Sequence, residues 1–201
     1  MRHKIHFHRF ANLVVQTESF KDDFDDLINT ISDISDDDLI DYFARDKALR
    51  PSTKSLSKSI NNLLKDKLES LNWISESPIF KEEEYTINNK SYWRLDFAKN
   101  KISVEVAFNH QEAVAHNLIK PVLASELNHV EKAIQTNLGV IITATDALKV
   151  AGGFDTAVGT FEKFLSFLKP YNNFITVPLI IIGLEPPESF EIKDKEIHRN
   201  I

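Results

Sequence analysis

The chain has 201 residues, of which 42% are hydrophobic and 27% are charged, a composition typical of a soluble globular protein with one domain. It contains no cysteine, which excludes disulfide bonds, thiol catalysis and cysteine-ligated zinc and suits the cytoplasm. No apolar run approaches the roughly 20 residues that span a bilayer, and the N-terminus lacks the apolar core of a secretory signal. The net charge of −6 argues mildly against a simple nucleic-acid-binding protein.

The charge is unevenly distributed along the chain. Residues 18–46 carry eleven acidic and two basic side chains, whereas residues 45–67 carry seven basic and two acidic ones. The acidic run is typical of solvated helix faces. The basic run is rich in serine and threonine, and lysines among hydroxyl groups are suited to contact phosphate. Lys54 and Lys58 are therefore candidate phosphate contacts, with a solvated helix face as the alternative.

The apolar pattern of the N-terminal half predicts mainly helices. His3, His6 and His8 alternate with apolar residues, which favours one face of an edge strand over a metal site. The remaining predicted elements are helices over 19–32, over Asp36–Phe43 and from Pro51 onward, strands over 73–80 and 84–88, and a turn at Asn88-Asn89.

The second half alternates between strands and helices. The predicted elements are strands over 91–97, 101–108, 138–143 and 176–184, and helices over 112–134, kinked or restarted at Pro121, and over 155–168. The polar tail after Pro186-Pro187 is expected to be loose. This order predicts an α/β fold in which helices cover a mixed sheet.

Two acids, Asp96 and Glu105, lie in the predicted hairpin among residues that favour the inside of a sheet. A small register shift or a bulge would bring their side chains together. Neighbouring carboxylates repel unless one is protonated or a cation lies between them. Such oxygen ligands suit Mg²⁺, and Mg²⁺ suits phosphodiester hydrolysis. From spacing alone, however, isolated acids on a solvated hairpin are the more frequent case.

Four segments resemble type II restriction endonucleases of the BglII and BstYI kind, which are related to BamHI. LDFAKNKISVEVAFNH, with both acids, resembles their active-site hairpin. In the same order along the chain, INNLLKDKLESLNW, LGVIITATDAL and TFEKFLSFLKPYNNFITVPLIIIGLEP resemble the preceding helix, the next core strand with its loop, and the last helix and strand.

The resemblance implies a restriction-endonuclease-like fold, a mixed central β-sheet flanked by helices. It implies a homodimer that encloses double-stranded DNA. The expected organisation is one endonuclease domain over residues 1–201, with an N-terminal helical part (1–53), a catalytic core (54–186) and a loose tail (187–201).

The resemblance also assigns expected roles to individual residues. Asp96 and Glu105 correspond to metal ligands, and the Val106 carbonyl is a third. The residues that fall where the family contacts DNA are Asn109, His110 and Gln111 after the catalytic strand, Thr143, Thr145 and Asp146 on the next loop, and Lys120 near a basic position. Asn and Gln can bond adenine, and His can donate to guanine. Asn109 equally suits a helix cap.

Ala107 departs from the family pattern. Relatives carry Gln, Glu or Lys there, poised over the attacking water, and a methyl group can neither position nor deprotonate water. Two accounts are open. Either the chain is a disabled variant, or the natural protein takes the missing function from elsewhere, with Glu84 and Glu112 as candidates, or has lost activity.

The sequence therefore predicts a Mg²⁺-dependent restriction endonuclease of a restriction–modification system, acting as a homodimer on a short palindrome. The alternative is a DNA-binding protein of the same fold that does not cleave. An unrelated small-ligand α/β protein is a third interpretation.

Overall fold

A six-stranded mixed sheet forms the centre of the computed structural model, which describes residues 1–86, 93–126 and 129–200. Its strands are β1 (His3–His8), β2 (Ile74–Pro78), β3 (Arg94–Lys99), β4 (Ile102–Val106), β5 (Leu138–Ala144) and β6 (Leu179–Leu184). They lie in the order β1-β6-β5-β4-β3-β2. Strands β4, β5 and β6 are parallel, whereas β1 pairs antiparallel with β6, β3 with β4, and β2 with β3. The predicted α/β class is confirmed.

Helices cover both faces of this sheet. They are α1 (Ala11–Val14), α2 (Lys21–Ser32), α3 (Asp36–Leu49), α4 (Ser57–Ser70), α5 (Glu83–Thr86), α6 (Val114–Ser125), α7 (Asp146–Ala151) and α8 (Phe161–Tyr171). A 3-10 turn, Gln111–Ala113, precedes α6. Helix α3 starts at a capping box in which Ser35 and Asp38 exchange hydrogen bonds, which satisfies two otherwise unpaired N–H groups. Within the described ranges no helix is both long and apolar enough to cross a bilayer.

The alternation of side chains along β4 separates two apolar layers. Ile102, Val104 and Val106 pack into the larger cluster, which α2, α3 and α4 cover. Ala107, just after the strand, packs into a second cluster with residues of α6 and α8. Glu105 has the same parity as Ala107 and therefore faces the α6 side of the sheet.

The helix predicted over 112–134 is half correct. Helix α6 continues through Pro121 but ends at Ser125. The later residues approach the chain beyond β2, where Lys81 N donates to Glu131 O and Ala133 N donates to Ile79 O. Apolar residues four apart lie on one face of an extended segment as well as of a helix, and this ambiguity explains the error.

One prediction near α5 and one near α8 also differ from the structure. A helical turn occupies Glu83–Thr86 where a strand was predicted over 84–88. The Asn88-Asn89 turn lies outside the described residues. The last helix begins at Phe161 rather than at 155.

The tail was predicted to be loose, and this is wrong for its described residues. Strands β7 (Phe190–Lys193) and β8 (Glu196–Arg199) form a hairpin. Phe190 and Ile192 are buried in the larger apolar cluster. The Asp36 carboxylate at the start of α3 accepts hydrogen bonds from Glu188 N, Ser189 N and Ser189 Oγ. Two apolar residues at alternate positions are enough to fix this polar segment.

The N-terminal part is likewise not wholly helical, because β1 belongs to the central sheet. It pairs with β6 over its full length, with His3 opposite Leu184 and His8 opposite Leu179. The predicted edge strand is therefore correct, and it lies at the end of the sheet opposite to β2.

Candidate active site

The β3–β4 hairpin brings Asp96 and Glu105 together. Its register pairs Phe97 with Val104, and its two-residue turn begins at Asn100, whose φ is 48°, a left-handed conformation that asparagine tolerates well. One further step of this register places Asp96 opposite Glu105, so their side chains point to one face. A turn centred on Asn100 would have paired Asp96 with Val104, so the small register shift expected from the sequence is present and no bulge is needed.

Asp96 is held by the strand that carries Glu105. Its Oδ2 accepts a hydrogen bond from Val106 N at 2.6 Å. Burial raises the pKa of Asp96, and the charge on Glu76 adds to this, whereas the Val106 N–H and the Lys120 ammonium oppose it. The carboxylate is therefore fixed in position and costly to keep as an anion without a cation nearby.

Glu76, which the sequence analysis did not single out, lies beside Asp96. On β2 the pairs of Ser75 with Phe97 and of Ser77 with Leu95 enclose it, and its φ is 51°. A left-handed non-glycine residue is strained, and such strain is frequent at functional sites. Its place beside Asp96 depends on the pairing of β2 with β3, which no local pattern reveals.

Glu105 is 2% exposed. Its Oε2 accepts a hydrogen bond from Lys120 Nζ at 2.7 Å. Its Oε1 is buried and has no hydrogen-bond partner among the described residues. Burial, followed by the charge on Asp96, raises the pKa of Glu105 to about 8, although Lys120 opposes the shift. A buried carboxylate oxygen with no partner is unusual.

Lys120 was predicted to contact DNA, and the structure places it in a buried position. It is 8% exposed on α6 and forms an ion pair with Glu105. Lysine is rarely buried unless it is paired. Lys120 is therefore part of the carboxylate site rather than of an exposed basic surface.

Ala107 is buried at 2% exposure, and the apolar side chains around it come from α6, α8 and β5. Glu84 and Glu112, the predicted substitutes for a polar group at this position, are both exposed, Glu84 on α5 and Glu112 on the 3-10 turn. Neither lines the clefts that contain Asp96.

Two clefts reach Asp96 from different sides. The first is lined from α6 and its approach by Asn109, His116, Asn117 and Lys120, together with Glu76 and Arg94. The second is lined from α4 by Asn61, Asn62 and Lys65, together with Ser75, Glu76 and Val106. The α4 residues were missed because their proximity follows from the packing of a helix on the sheet.

The predicted base-contacting segment is exposed. Asn109, His110 and Gln111 lie between β4 and α6, and the main chain of 157–159 holds them through hydrogen bonds between Gln111 N and Ala157 O and between Gly159 N and Asn109 O. No side-chain cap is present at the 3-10 turn or at α6. The alternative role of Asn109 as a helix cap is therefore absent.

Thr143 and Thr145 are buried, at 0% and 1% exposure. The Thr143 hydroxyl donates to Ala107 O and Gly159 O. The Thr145 hydroxyl donates to Leu184 O and caps α7 by accepting from Leu148 N. Both hydroxyl groups therefore fasten the loop, and neither side chain is exposed where a base could reach it in this structure. Asp146, in contrast, is exposed.

Lys54 and Lys58 lie near the start of α4 and are both engaged in ion pairs. Lys54 Nζ is 3.9 Å from Asp155 Oδ2, and its side chain is 60% exposed. Lys58 Nζ is 3.5 Å from Asp46 Oδ1, an atom of a side chain that is only 4% exposed. Lys54 is therefore the more available of the two for phosphate.

In the part of the chain that the structure describes, no three His, Asp or Glu side chains cluster closely enough to hold a metal. The oxygen-rich group at this position consists of the Asp96 and Glu105 carboxylates, with the Glu76 carboxylate beside Asp96. Mg²⁺ commonly takes one or two carboxylates and completes its shell with water and substrate oxygens. Two carboxylates are therefore sufficient for this class of site.

The mixed sheet with a carboxylate pair on its central hairpin is the arrangement of a nuclease of the restriction endonuclease class. A family model described as restriction endonuclease BglII/BglIII matches residues 3–184. The chain belongs to this family and is a type II site-specific deoxyribonuclease. Members of the family generally use a divalent metal.

The fold is shared with a solved structure of BglII. The crystal structure of BglII complexed with a DNA 16-mer matches with a TM-score of 0.68 and 17% identity, covering 95% of this chain and 80% of that one. Free BglII matches with a TM-score of 0.49 and 16% identity, covering 92% and 79%. Among curated proteins, no sequence matches.

Proposed function

We propose that this chain is a Mg²⁺-dependent restriction endonuclease that hydrolyses phosphodiester bonds in double-stranded DNA at a short palindromic site. The observation that carries this proposal is the carboxylate site beside an open cleft. Asp96 and Glu105 meet there, and Glu105 retains a buried oxygen without a partner among the described residues. A ligand position is the simplest use for such an oxygen, because buried polar atoms normally have a partner.

The donor atoms fit a hard cation. Asp96, Glu105 and the main-chain carbonyl of Val106 would hold Mg²⁺, which favours oxygen ligands. Bound there, the metal would polarise the phosphate and lower the pKa of the attacking water. The raised pKa values of both carboxylates support the proposal, since a cation between them would relieve the cost of two buried negative charges.

The lining of the clefts explains how an acidic chain could bind DNA. Lys65, Arg94 and Lys120 border the two clefts around Asp96, next to the Glu76 and Asp96 carboxylates, so three cationic groups lie where a phosphate would bind. The fold is that of BglII, which has been crystallised with DNA. Asn109 and Gln111 lie exposed at the edge of this region, where they could bond base edges.

The proposed assembly is a homodimer. A palindromic site has two-fold symmetry, and a two-fold protein dimer presents one carboxylate site to each strand. Measurement of the mass of the protein with and without a DNA duplex tests this part, and a one-to-one complex of protein and duplex would contradict it.

The test of the proposed function is incubation of supercoiled plasmid with the protein and Mg²⁺, followed by the same assay with Asp96→Asn and Glu105→Gln. Discrete fragments are expected from the parent. Neither variant should cleave, but both should retain sequence-specific binding, because each loses a metal ligand and some repulsion of phosphate. Cleavage by either variant at ordinary Mg²⁺ concentration would exclude this metal site.

A second candidate function is sequence-specific DNA binding without cleavage. The observation that favours it is Ala107, a buried methyl group at the position where the resemblance to BglII-like endonucleases implies a polar group. Salt-sensitive, sequence-specific binding by the parent chain, with plasmid intact after prolonged incubation with Mg²⁺, would support this alternative.

A further inference from the structure

We infer that Lys120 is a further catalytic residue: from α6, its ammonium group, paired with Glu105, contacts the scissile phosphate. This inference rests on the proposed cleavage of DNA at Asp96 and Glu105. It gives the site a charged group from α6, whereas Glu84 and Glu112 are exposed and line neither cleft around Asp96.

Strand β4 itself directs no polar side chain other than Glu105 toward the cleft. Of its side chains, the Ser103 hydroxyl is buried and donates to Leu138 O, and the valines and Ile102 belong to the apolar layer on the other face. Ala107 is enclosed by apolar side chains. A group that assists Glu105 must therefore come from another element.

Helix α6 places a charged group, the Lys120 ammonium, beside Glu105. Helix α6 packs over β4 and β5, and Lys120 extends from it until its Nζ lies 2.7 Å from Glu105 Oε2. Lys120 also lines the cleft that contains Asp96 and Asn109. Its ammonium group therefore contacts the carboxylate pair, and the same residue lines the wall of the cleft.

The Lys120 ammonium group has hydrogen-bond donors to spare. It has three N–H donors, and Glu105 is its one hydrogen-bond partner among the described residues. Two donors are therefore left for a phosphate oxygen or for the water beside it. Lysine is a strong phosphate ligand as a compact point charge, and fixed charges near a transferred phosphoryl group act by stabilising its transition state.

If Lys120 served only as a structural partner of Glu105, a different effect of its removal would be expected. Lys120 would then stabilise the fold through Glu105, and its removal would lower stability without any dependence on the charge of the scissile phosphate. The test must therefore measure whether Lys120 and that phosphate act together, in addition to measuring the rate of cleavage.

The first measurement is single-turnover cleavage of an oligonucleotide that carries the recognition site, at saturating protein. Lys120→Met should cleave about 100-fold more slowly or worse, while Lys120→Arg, which keeps the charge, should recover most of the rate. The matched control is Lys21→Met, which removes an exposed lysine paired with Asp25 on α2 and should cleave like the parent. Cleavage by Lys120→Met within about threefold of the parent would overturn the inference.

The second measurement uses binding, in an Asp96→Asn background that keeps the DNA intact. Both oligonucleotides carry the recognition sequence, identified by selection for binding. One has an ordinary scissile phosphate, and the other has an uncharged methylphosphonate at that position. With Lys120 present, loss of the charge should weaken binding about tenfold or more, as expected for a charge-assisted hydrogen bond. With Lys120→Met, the same change should matter less than about threefold. Equal weakening in both proteins would overturn the inference.

Removal of Lys120 alone leaves Glu105 buried and unpaired, so the variant risks failing to fold. Lys120→Met with Glu105→Gln removes both charges and keeps the binding comparison possible, with Glu105→Gln alone as its reference. If the parent does not cleave but the binding dependence on Lys120 is found, the proposed cleavage fails and the contact stands. If Lys120→Met cleaves normally, the contact fails and the proposed cleavage stands.

Discussion

The position of Lys120 depends on a glycine in the neighbouring strand. On β5, Gly139 faces Pro121, the residue next to Lys120 on α6. A Cβ atom at position 139 would lie 2.4 Å from Pro121 Cβ and 2.9 Å from Leu179 Cδ1, whereas non-bonded carbon atoms prefer about 3.5–4.0 Å. The proline ring cannot rotate away, so Gly139→Ala must push α6 outward by about 1 Å.

This displacement has a predictable effect on the site. A shift of about 1 Å would lengthen the 2.7 Å bond between Lys120 Nζ and Glu105 Oε2 beyond the range of about 2.7–3.2 Å for an N–H···O bond. Overpacking costs about 1–3 kcal/mol. In a domain of this size a loss of 2 kcal/mol lowers Tm by about 4–8 °C. A misplacement of this order costs about 100-fold in rate.

Thermal unfolding and single-turnover cleavage test the effect, with Gly183→Ala as the matched control. A Cβ at position 183 would lie 2.6 Å from Phe161 Cγ, at the start of α8, so it should lower Tm by a similar amount. Since α8 carries none of the proposed catalytic groups, Gly183→Ala should cleave within a few-fold of the parent. Equal rate losses in both variants, or a Gly139→Ala protein that melts and cleaves like the parent, would refute this reasoning.

Two further predictions concern charge. Replacement of Lys54 should reduce the slope of log affinity against log salt concentration by about one. Replacement of Lys58 should reduce this slope by much less, because Lys58 is paired with the buried Asp46. Equal effects of the two replacements would contradict this ranking. Since burial raises the pKa of Glu105 to about 8, metal binding must displace its proton. Affinity for Mg²⁺ should therefore rise between about pH 7 and pH 9, with proton release measurable by calorimetry in two buffers, and a flat profile would contradict the assignment of Glu105 as a ligand.

The parts of the site that the sequence revealed are those set by local pattern. Asp96 and Glu105 lie on adjacent strands joined by a two-residue turn, so alternation and turn type bring them together. The position of Glu76 instead depends on the register of β2 against β3. The contact of Lys120 with Glu105 depends on how α6 packs on the sheet. Interactions between distant segments leave no periodic signal in the chain.

The same distinction explains the errors in the fold and in the DNA contacts. Thr143 lies near the end of the buried strand β5 and Thr145 follows it, and their residue type suits both base contact and loop fastening. Only the three-dimensional arrangement shows that main-chain carbonyl oxygens accept hydrogen bonds from both hydroxyl groups. In the tail, the apolar pair Phe190 and Ile192 was too short a pattern to outweigh the surrounding charges, yet both side chains are buried.

The last prediction concerns Ala107→Gln, which adds four heavy atoms to a buried methyl group. If the chain is a disabled variant, this change should restore cleavage. The structure favours the opposite outcome, because Ala107 is enclosed by apolar side chains of α6, α8 and β5 and Lys120 already reaches Glu105. Overpacking should lower the free energy of unfolding by about 1–3 kcal/mol, and a buried amide without partners costs about 1–3 kcal/mol more.

We therefore expect no gain in the single-turnover cleavage rate for Ala107→Gln and a lower midpoint of denaturant unfolding. Ala107→Leu serves as the matched control, because it adds similar volume without a polar group and should lose stability through overpacking alone. A rise in rate of about 100-fold or more in the glutamine variant, as expected when a water-positioning group is restored, would show that position 107 is where the polar group belongs. That result would assign the missing water-positioning group to position 107.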